Sequence, residues 1–285
     1  MIVSLEKKDI HATLTTWIYC AMSQLWTLEK LGYRGYINWT EGLKSLSAYQ
    51  DRGMFNQLPN MFEWYFIQPH ADNNYSDIWT WEDMWPPARA IKDQLYGQPL
   101  AEISRFYKTH LFFSDAVENR GEALVKKYGI DFSKTIGITW RGTDVYLDGR
   151  PRMPIETYFK FIDQAIEMTP DARIMCTAEE DTILDPLLKR YPQAFKVEEF
   201  LSSPFQSKHN PERLTNVSGF ERGVQPALMV WMFSKCAHYI KNRSSTGAVA
   251  SWISNGRIVS LGHGENLGFP ANTDTAEIEG KQYPL

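Results

Sequence analysis

The chain has 285 residues, a length that allows either two domains or one large one. Hydrophobic residues make up 43% and charged residues 22%, which is ordinary for a globular protein and excludes an intrinsically disordered one. The net charge of −4 disfavours a protein that wraps nucleic acid through a broad basic surface, although it permits a small basic pocket for a phosphate group.

The first part of the chain predicts a strand, a helix and a second strand. A short apolar run starts at Ile2, apolar residues recur at helical spacing over 14–31, and residues 33–39 predict the next strand. Residues 40–90 are rich in Asn, Pro, Trp and Tyr without a clear period, which indicates long loops of the kind that often carry function. Helical patterns return over residues 88–95, 100–112 and 114–128.

From residue 129 onward, predicted strands alternate with predicted helices, which indicates a parallel sheet with right-handed crossovers. The predicted strands cover 135–140, 172–177, 195–198, 238–241 and 257–262. The predicted helices cover 154–168, 180–190, 223–235 and 247–254. We therefore expect an α/β fold with a domain boundary near residue 130.

Cysteines and histidines supply no recognisable metal or redox motif. The three cysteines are scattered, and the six histidines include no H-E-x-x-H pattern. The first residues lack the charge pattern of a signal peptide, and no apolar stretch reaches the ~20 residues of a membrane span. We expect a cytoplasmic protein without a metal site or a transmembrane segment.

The first segment whose residues could bind a ligand follows the predicted strand 135–140. Ligands of such sheets bind beyond the carboxyl ends of the strands. There Arg141 can grip phosphate oxygens, Gly142 lets the backbone approach a ligand, and Thr143 adds a hydroxyl. Asp144 can orient Arg141 or bind a ligand hydroxyl, and the alternative is a structural ion pair between the two.

The second segment joins the predicted strand 238–241 to a helix. Arg243 is followed by three hydroxyl residues, Ser244, Ser245 and Thr246, at a helix N-terminus, where phosphates bind well. The alternative is an ordinary helix cap, which needs only one hydroxyl. Neither segment matches a Walker A or a G-x-G-x-x-G pattern, so neither an NTPase nor an NAD enzyme is proposed.

Several motifs of the second half, in order and spacing, resemble the GDP-fucose-dependent fucosyltransferases of the α-1,6 and protein O-fucosyltransferase superfamily. The family's H-x-R-R-x-D motif corresponds to T-W-R-G-T-D over 139–144, with a proline and helix from Pro154. A strand and turn follow over 176–181, and the family's L-S-x-C/A-D…S-S segment corresponds to 233–245. The resemblance covers about 130–262.

This resemblance implies a GT-B architecture, in which two Rossmann-like domains face a cleft. It implies an acceptor-side domain over 1–129, a nucleotide-sugar domain over 130–264, and a tail over 265–285 that packs back on the first domain. Arg141 would neutralise the diphosphate. Asp144 would be the motif carboxylate. The nucleotide-sugar site would comprise Arg141, Gly142, Thr143, Thr177, Arg243, Ser244, Ser245 and Thr246. The enzymes of this family generally invert the anomeric centre and need no metal or other cofactor.

The chain departs from the family at three motif positions. Thr139 occupies the position of the family histidine, and Gly142 occupies that of the second arginine. The position of an acidic residue of the family falls near Met229. Phosphate binding is thus better supported than guanine or fucose recognition. Other nucleotide sugars, including xylosyl or hexosyl donors, stay open. So do a non-catalytic nucleotide- or glycan-binding relative and a hydrolase-like enzyme that uses carboxylates.

A transferase also needs a base for the acceptor hydroxyl and a surface for the sugar. Asp148 lies in the loop after the first motif and is our candidate base, with Asp144, Asp72 and Glu6 as rivals. Asp72, Trp79 and Trp81 lie in the polar loop region and are candidate acceptor contacts, since aromatic rings stack on sugars. The expected partners are a nucleotide sugar, GDP-linked by the resemblance, and a glycan acceptor, without nucleic acid.

Overall fold

The structure is a computed structural model, and its description covers most but not all of the chain. The described residues are 2–4, 14–39, 51–68, 78–80, 95, 98, 100–141, 154–178, 181–200, 217–242 and 244–261. The chain divides into two compact units, one of Met1–Arg120 with Asn216–Leu228 and one of Gly121–Thr215 with Met229–Leu285. The domain boundary near residue 130 stays a prediction.

The described part of the chain forms ten strands. They are β1 (Ile2–Ser4), β2 (Tyr36–Asn38), β3 (Phe66–Ile67), β4 (Ile78–Thr80), β5 (Phe112–Phe113), β6 (Thr135–Trp140), β7 (Arg173–Ala178), β8 (Ala194–Lys196), β9 (His238–Asn242) and β10 (Arg257–Leu261).

Eight α-helices connect or flank these strands within the described residues. They are α1 (Leu14–Lys30), α2 (Arg52–Gln57), α3 (Leu100–His110), α4 (Asp115–Tyr128), α5 (Phe159–Met168), α6 (Asp185–Arg190), α7 (Gly219–Phe233) and α8 (Ser245–Ile253).

In the first unit, β1 is the middle strand of a parallel sheet in the order β2-β1-β4. Helix α1 packs against α3, where the rings of Trp26 and Phe106 meet edge to face at 5.0 Å. The edge of β2 that faces away from β1 is closed by Asn60, whose side-chain amide donates to the Ile37 carbonyl at 2.8 Å and accepts from the Trp39 backbone N–H at 2.9 Å. A side chain thereby takes the place of a neighbouring strand.

Two differences from the predicted elements occur in this unit. The helix expected over 100–112 ends at His110, and Phe112 and Phe113 form β5, which pairs antiparallel with β3. Strand β4 and helix α2 lie in the stretch expected to be loop. Elements of two to six residues are too short to display a hydrophobic period, which explains why the pattern missed them.

The second unit is built on a parallel sheet of five strands in the order β10-β9-β6-β7-β8. On one face Ile138, Cys176 and Ile240 form a buried core with α5 and α6. On the other face Gly137 lies under α7, so close that a Cβ there would be 2.7 Å from the Phe233 ring. The alternation expected from residue 129 onward is confirmed, and helix α7 starts at Gly219 rather than at residue 223.

Candidate functional site

The candidate site lies in the second unit, where the strand order reverses. β6 comes first in this sheet along the chain, and it lies between β7 and β9. In sheets of this topology the connections from such a pair of neighbouring strands run to opposite sides of the sheet, and ligands bind at the point between the two strand ends. Arg141 follows β6, and Ser244 follows β9 by two residues. They therefore emerge from neighbouring parallel strands at the same edge of the sheet.

Asn242 joins these two strand ends. Its side-chain oxygen accepts from the Arg141 backbone N–H at 2.7 Å, and its side-chain NH₂ donates to the Arg141 carbonyl. The amide thus satisfies both backbone groups of Arg141, just past the last strand residue. This fixes where the chain leaves β6, and with it the point from which the guanidinium group extends.

Helix α8 begins at this edge with a side-chain cap. Ser244 is extended, with φ −157° and ψ 151°, and its hydroxyl accepts from the Gly247 amide at 2.8 Å. Ser245 and Thr246 occupy the first turn. The N-terminus of a helix carries the positive end of its dipole and favours an anion. A phosphate group is the chemistry that suits this turn.

A row of polar side chains crosses the sheet one residue before the strand ends. Thr139 is aligned with Thr177 of β7 and with Lys241 of β9, and Lys241 is aligned with Ser260 of β10. Thr139, Thr177 and Lys241 are buried. Since side chains alternate between faces of a strand, all four point toward the face that α7 and α8 cover. The floor beneath the strand ends is therefore polar at this level.

Two buried tyrosines support the row from either face of the sheet. Tyr239 and Thr139 share a hydrogen bond of 2.9 Å between their hydroxyls, and Tyr158 donates to the Thr139 carbonyl at 3.2 Å. Burial raises the pKa of Tyr158 well above its usual value, and burial likewise raises the pKa of Tyr239. Both phenols therefore stay neutral hydrogen-bonding groups and add no negative charge to the site.

Among the described residues, the charged groups of the site are cationic. Arg141 carries a guanidinium group, and Lys241 is a buried lysine whose pKa is lowered by desolvation to about 8. Among the described residues, no group of three or more metal-ligating side chains comes together. The arrangement suits an anionic ligand that is held by cations, hydroxyls and a helix dipole.

The structure brings several predicted site residues to one edge of the sheet. Arg141, Ser244, Ser245 and Thr246 lie at the ends of β6 and β9, and Thr177 lies in the polar row. Their assignment to a nucleotide-sugar site stays a prediction.

Other predicted residues cannot be placed. Trp79 lies in β4, but its side chain is not described. The remaining predicted residues lie outside the described part of the chain: Gly142, Thr143, Asp144, Asp148, Arg243, Asp72, Trp81, Glu6 and the tail over 265–285.

The sequence predicted no role at this site for Asn242, Lys241 or Tyr239. Asn242 and Lys241 directly precede the segment that carries the three predicted hydroxyl residues. Lysine is rarely buried, so a lysine inside a short apolar strand was a signal that could have identified it. Tyr239 gave no signal, because a tyrosine in a strand is ordinary.

No protein-family model matches the chain, and no curated protein matches it in sequence. The fold is nevertheless similar to solved structures. An α-1,6-fucosyltransferase, NodZ, soaked with GDP-fucose, is 13% identical with a TM-score of 0.55, and the match covers 95% of this chain and 97% of that one. NodZ from Bradyrhizobium in selenomethionine form is 13% identical with a TM-score of 0.52, covering 95% and 96%. POFUT1 in its apo form is 8% identical with a TM-score of 0.50, covering 91% and 97%.

These likenesses concern the fold, and they extend over nearly the whole of each chain. Within the described residues, no helix has the length and apolar character to cross a bilayer. The sheet order and the structural likeness agree with the architecture that the sequence resemblance implies. The chain has an α/β fold of the GT-B type, the fold of the GDP-fucose-dependent fucosyltransferases.

Proposed function

We propose that this protein is a glycosyltransferase that transfers fucose from GDP-fucose to a hydroxyl group of a glycan acceptor. The observation that carries the proposal is the pairing of two strand ends. Arg141 and the Ser244 turn emerge side by side at the switch point of a nucleotide-binding type of sheet, joined by Asn242. An arginine, a helix N-terminus and a row of hydroxyls together suit a diphosphate.

The donor is inferred from the motifs and from the fold neighbours. One similar structure is an α-1,6-fucosyltransferase soaked with GDP-fucose, and another is the same enzyme co-crystallised with GDP, at 12% identity and a TM-score of 0.53. The nucleotide site would comprise the edge described above together with Gly142, Thr143, Thr177 and Arg243.

The reaction would be an inverting substitution at the anomeric carbon. The acceptor oxygen forms a bond to that carbon on one face of the sugar, while the bond to the β-phosphate oxygen breaks on the other. Negative charge then grows on the departing diphosphate. Arg141 and the positive end of α8 would stabilise this negative charge. These two groups would then do what a metal ion does in other transferases.

The proton of the acceptor hydroxyl must go to a base. We assign this role to Asp148, with Asp144 as the motif carboxylate that orients Arg141 or a sugar hydroxyl. Asp72, Trp79 and Trp81 would contact the glycan acceptor, the tryptophans by stacking. These assignments make Asp148 the residue whose loss should stop transfer while donor binding persists.

A thermal-shift panel of GDP, UDP, CMP and their sugars tests the donor. A ligand at 100 times its dissociation constant raises the free energy of unfolding by about 2.7 kcal/mol. The resulting rise in melting temperature is easily measured. We expect GDP and GDP-fucose to stabilise the protein more than the others do. Stabilisation by UDP sugars alone would assign a different donor, and no stabilisation by any nucleotide would refute the proposal.

Turnover then tests the chemistry. The purified protein should release GDP from GDP-fucose in the presence of EDTA, and glycan acceptors should accelerate the release. Asp148→Asn should abolish transfer and leave GDP affinity unchanged. Asp185→Asn, at an exposed position in α6, is the matched control and should keep full activity. A product with retained anomeric configuration by NMR would exclude the inverting mechanism.

A further inference from the structure

Lys241 is a lysine in the interior of the second unit. It is only 5% exposed, and its ammonium group donates to the Ser260 hydroxyl at 2.8 Å. An ammonium group has three donors, and within the described residues this neutral hydroxyl is the hydrogen-bond acceptor that it contacts. No carboxylate among the described residues pairs with it. A buried charge without a counter-charge is costly to a protein.

The start of helix α8 lies directly against this lysine. A Cβ atom at Gly247 would lie 2.8 Å from the Lys241 Cδ and 2.9 Å from the Ser244 hydroxyl. The aliphatic stem of the lysine therefore runs beneath the first turn of the helix, and glycine at position 247 permits that approach. Two sources of positive potential, an ammonium group and a helix N-terminus, meet at one place.

Two positive sources side by side repel each other unless an anion lies between or beside them. Lys241 is also aligned with Thr139 of β6, the strand that Arg141 follows. The lysine thus lies beneath the same pair of strand ends as the arginine and the serine turn. Methionine would fill the same volume in the sheet without the cost of a buried charge, so packing alone does not account for a lysine.

We propose that the buried ammonium group of Lys241 supplies positive charge against which the diphosphate of the nucleotide-sugar donor binds. This inference rests on the proposed function, because it names a further residue of the same site. When the anion binds, it stabilises the charged lysine, so that binding and protonation of Lys241 are coupled. Donor affinity should then depend on pH.

Among the described residues, few other titratable groups face Lys241 from the elements around it. On its own strand Tyr239 stays neutral, because burial raises its pKa, and the facing residues of β6, β10 and α8 are Thr139, Ser260, Ser244 and Gly247. Burial lowers the pKa of Lys241 to about 8, so this lysine loses most of its charge between pH 7 and pH 9.

The test is calorimetric titration of the full chain with GDP and with inorganic pyrophosphate. We compare wild type, Lys241→Met and Lys235→Met at pH 7 and pH 9. Lys235 lies on the surface just before β9, so Lys235→Met is the matched control that also removes one positive charge. Wild type and Lys235→Met should bind GDP about tenfold more weakly at pH 9 than at pH 7. Lys241→Met should bind about tenfold or more weakly at pH 7 and show little change with pH.

The outcomes separate this inference from the function on which it rests. If wild type binds GDP equally at both pH values, or if Lys241→Met binds as wild type does, the inference about Lys241 is wrong and the donor proposal stands. If no nucleotide binds but pyrophosphate binds with the expected dependence on Lys241, the anion site is supported and the donor proposal fails. The wild-type pH profile remains decisive even if the variant does not fold.

Discussion

Asn242 holds the backbone of Arg141 by both of its polar groups: its side-chain oxygen accepts from the Arg141 N–H at 2.7 Å, and its NH₂ group donates to the Arg141 carbonyl. The two residues are 101 positions apart in the chain. The contact ties the ends of β6 and β9 together at the point where the strand order reverses. The position of the Arg141 backbone therefore depends on the Asn242 side chain.

Replacing Asn242 with alanine should weaken both the fold and the site. Two partly buried backbone groups lose their partners, which should lower the free energy of unfolding by about 1–3 kcal/mol, measured by urea denaturation. GDP affinity should fall too, because the exit of the chain from β6 is no longer fixed.

Asn60→Ala is the matched control for that variant. Asn60 is also a buried asparagine that satisfies the backbone of a strand, but it lies in the first unit. It should lower stability comparably and leave GDP affinity unchanged. Equal losses of affinity in the two variants would indicate that instability alone weakens binding.

Replacing Arg141 with alanine should separate binding from stability. The side chain is only partly buried, so we expect the free energy of unfolding to change by less than about 0.5 kcal/mol. A charge-assisted hydrogen bond contributes about 1.5–3 kcal/mol, so GDP affinity should fall about 10- to 100-fold in calorimetric titrations. Arg105→Ala, whose side chain is 72% exposed in α3, should bind as wild type does. An affinity within twofold of wild type for Arg141→Ala would remove this residue from the phosphate site.

The stability of the protein without ligand should depend on pH through Lys241. Burial lowers its pKa from the usual 10.5 to about 8. The folded state therefore disfavours the charged form of Lys241, which lowers the free energy of unfolding. This lowering is fully present below pH 8 and disappears as the pH rises toward 10.5. It amounts to about 3 kcal/mol.

Denaturation curves of wild type and Lys241→Met, recorded between pH 7.5 and 10, measure this penalty. The variant should be the more stable of the two at pH 7.5, and the difference should shrink as the pH rises. A difference that stays constant across the range would show that the lysine is not desolvated in the fold.

Gly137 should tolerate no side chain, for reasons unrelated to the site. A Cβ would lie 2.7 Å from the Phe233 ring and 3.0 Å from the Cys236 sulfur. Gly137→Ala should lower the free energy of unfolding by about 1–3 kcal/mol in urea denaturation. Because the clash is with the Phe233 side chain from Cδ1 outward, Phe233→Ala in the same chain should recover part of the loss, which a double-mutant cycle detects. Additive losses would refute the clash.

The sequence by itself determined much of the second unit. The apolar run over 135–140 and the 3.6-residue period over 159–168 are local properties of the chain. The alternation of strand and helix then requires parallel strands, and Arg141 and Ser244 could be assigned to strand ends on that basis alone. The motif resemblance added the GT-B architecture.

Only the tertiary structure decided which strands are neighbours. The pairing of β6 with β9 brings Arg141 to Asn242, and the alignment across β9 and β10 buries Lys241 against Ser260. Short elements such as β3 and β5 likewise exist through their pairing with each other. The reason is that hydrogen bonds between strands and the burial of a charge depend on residues about 20 to 100 positions apart, and no local pattern records those contacts.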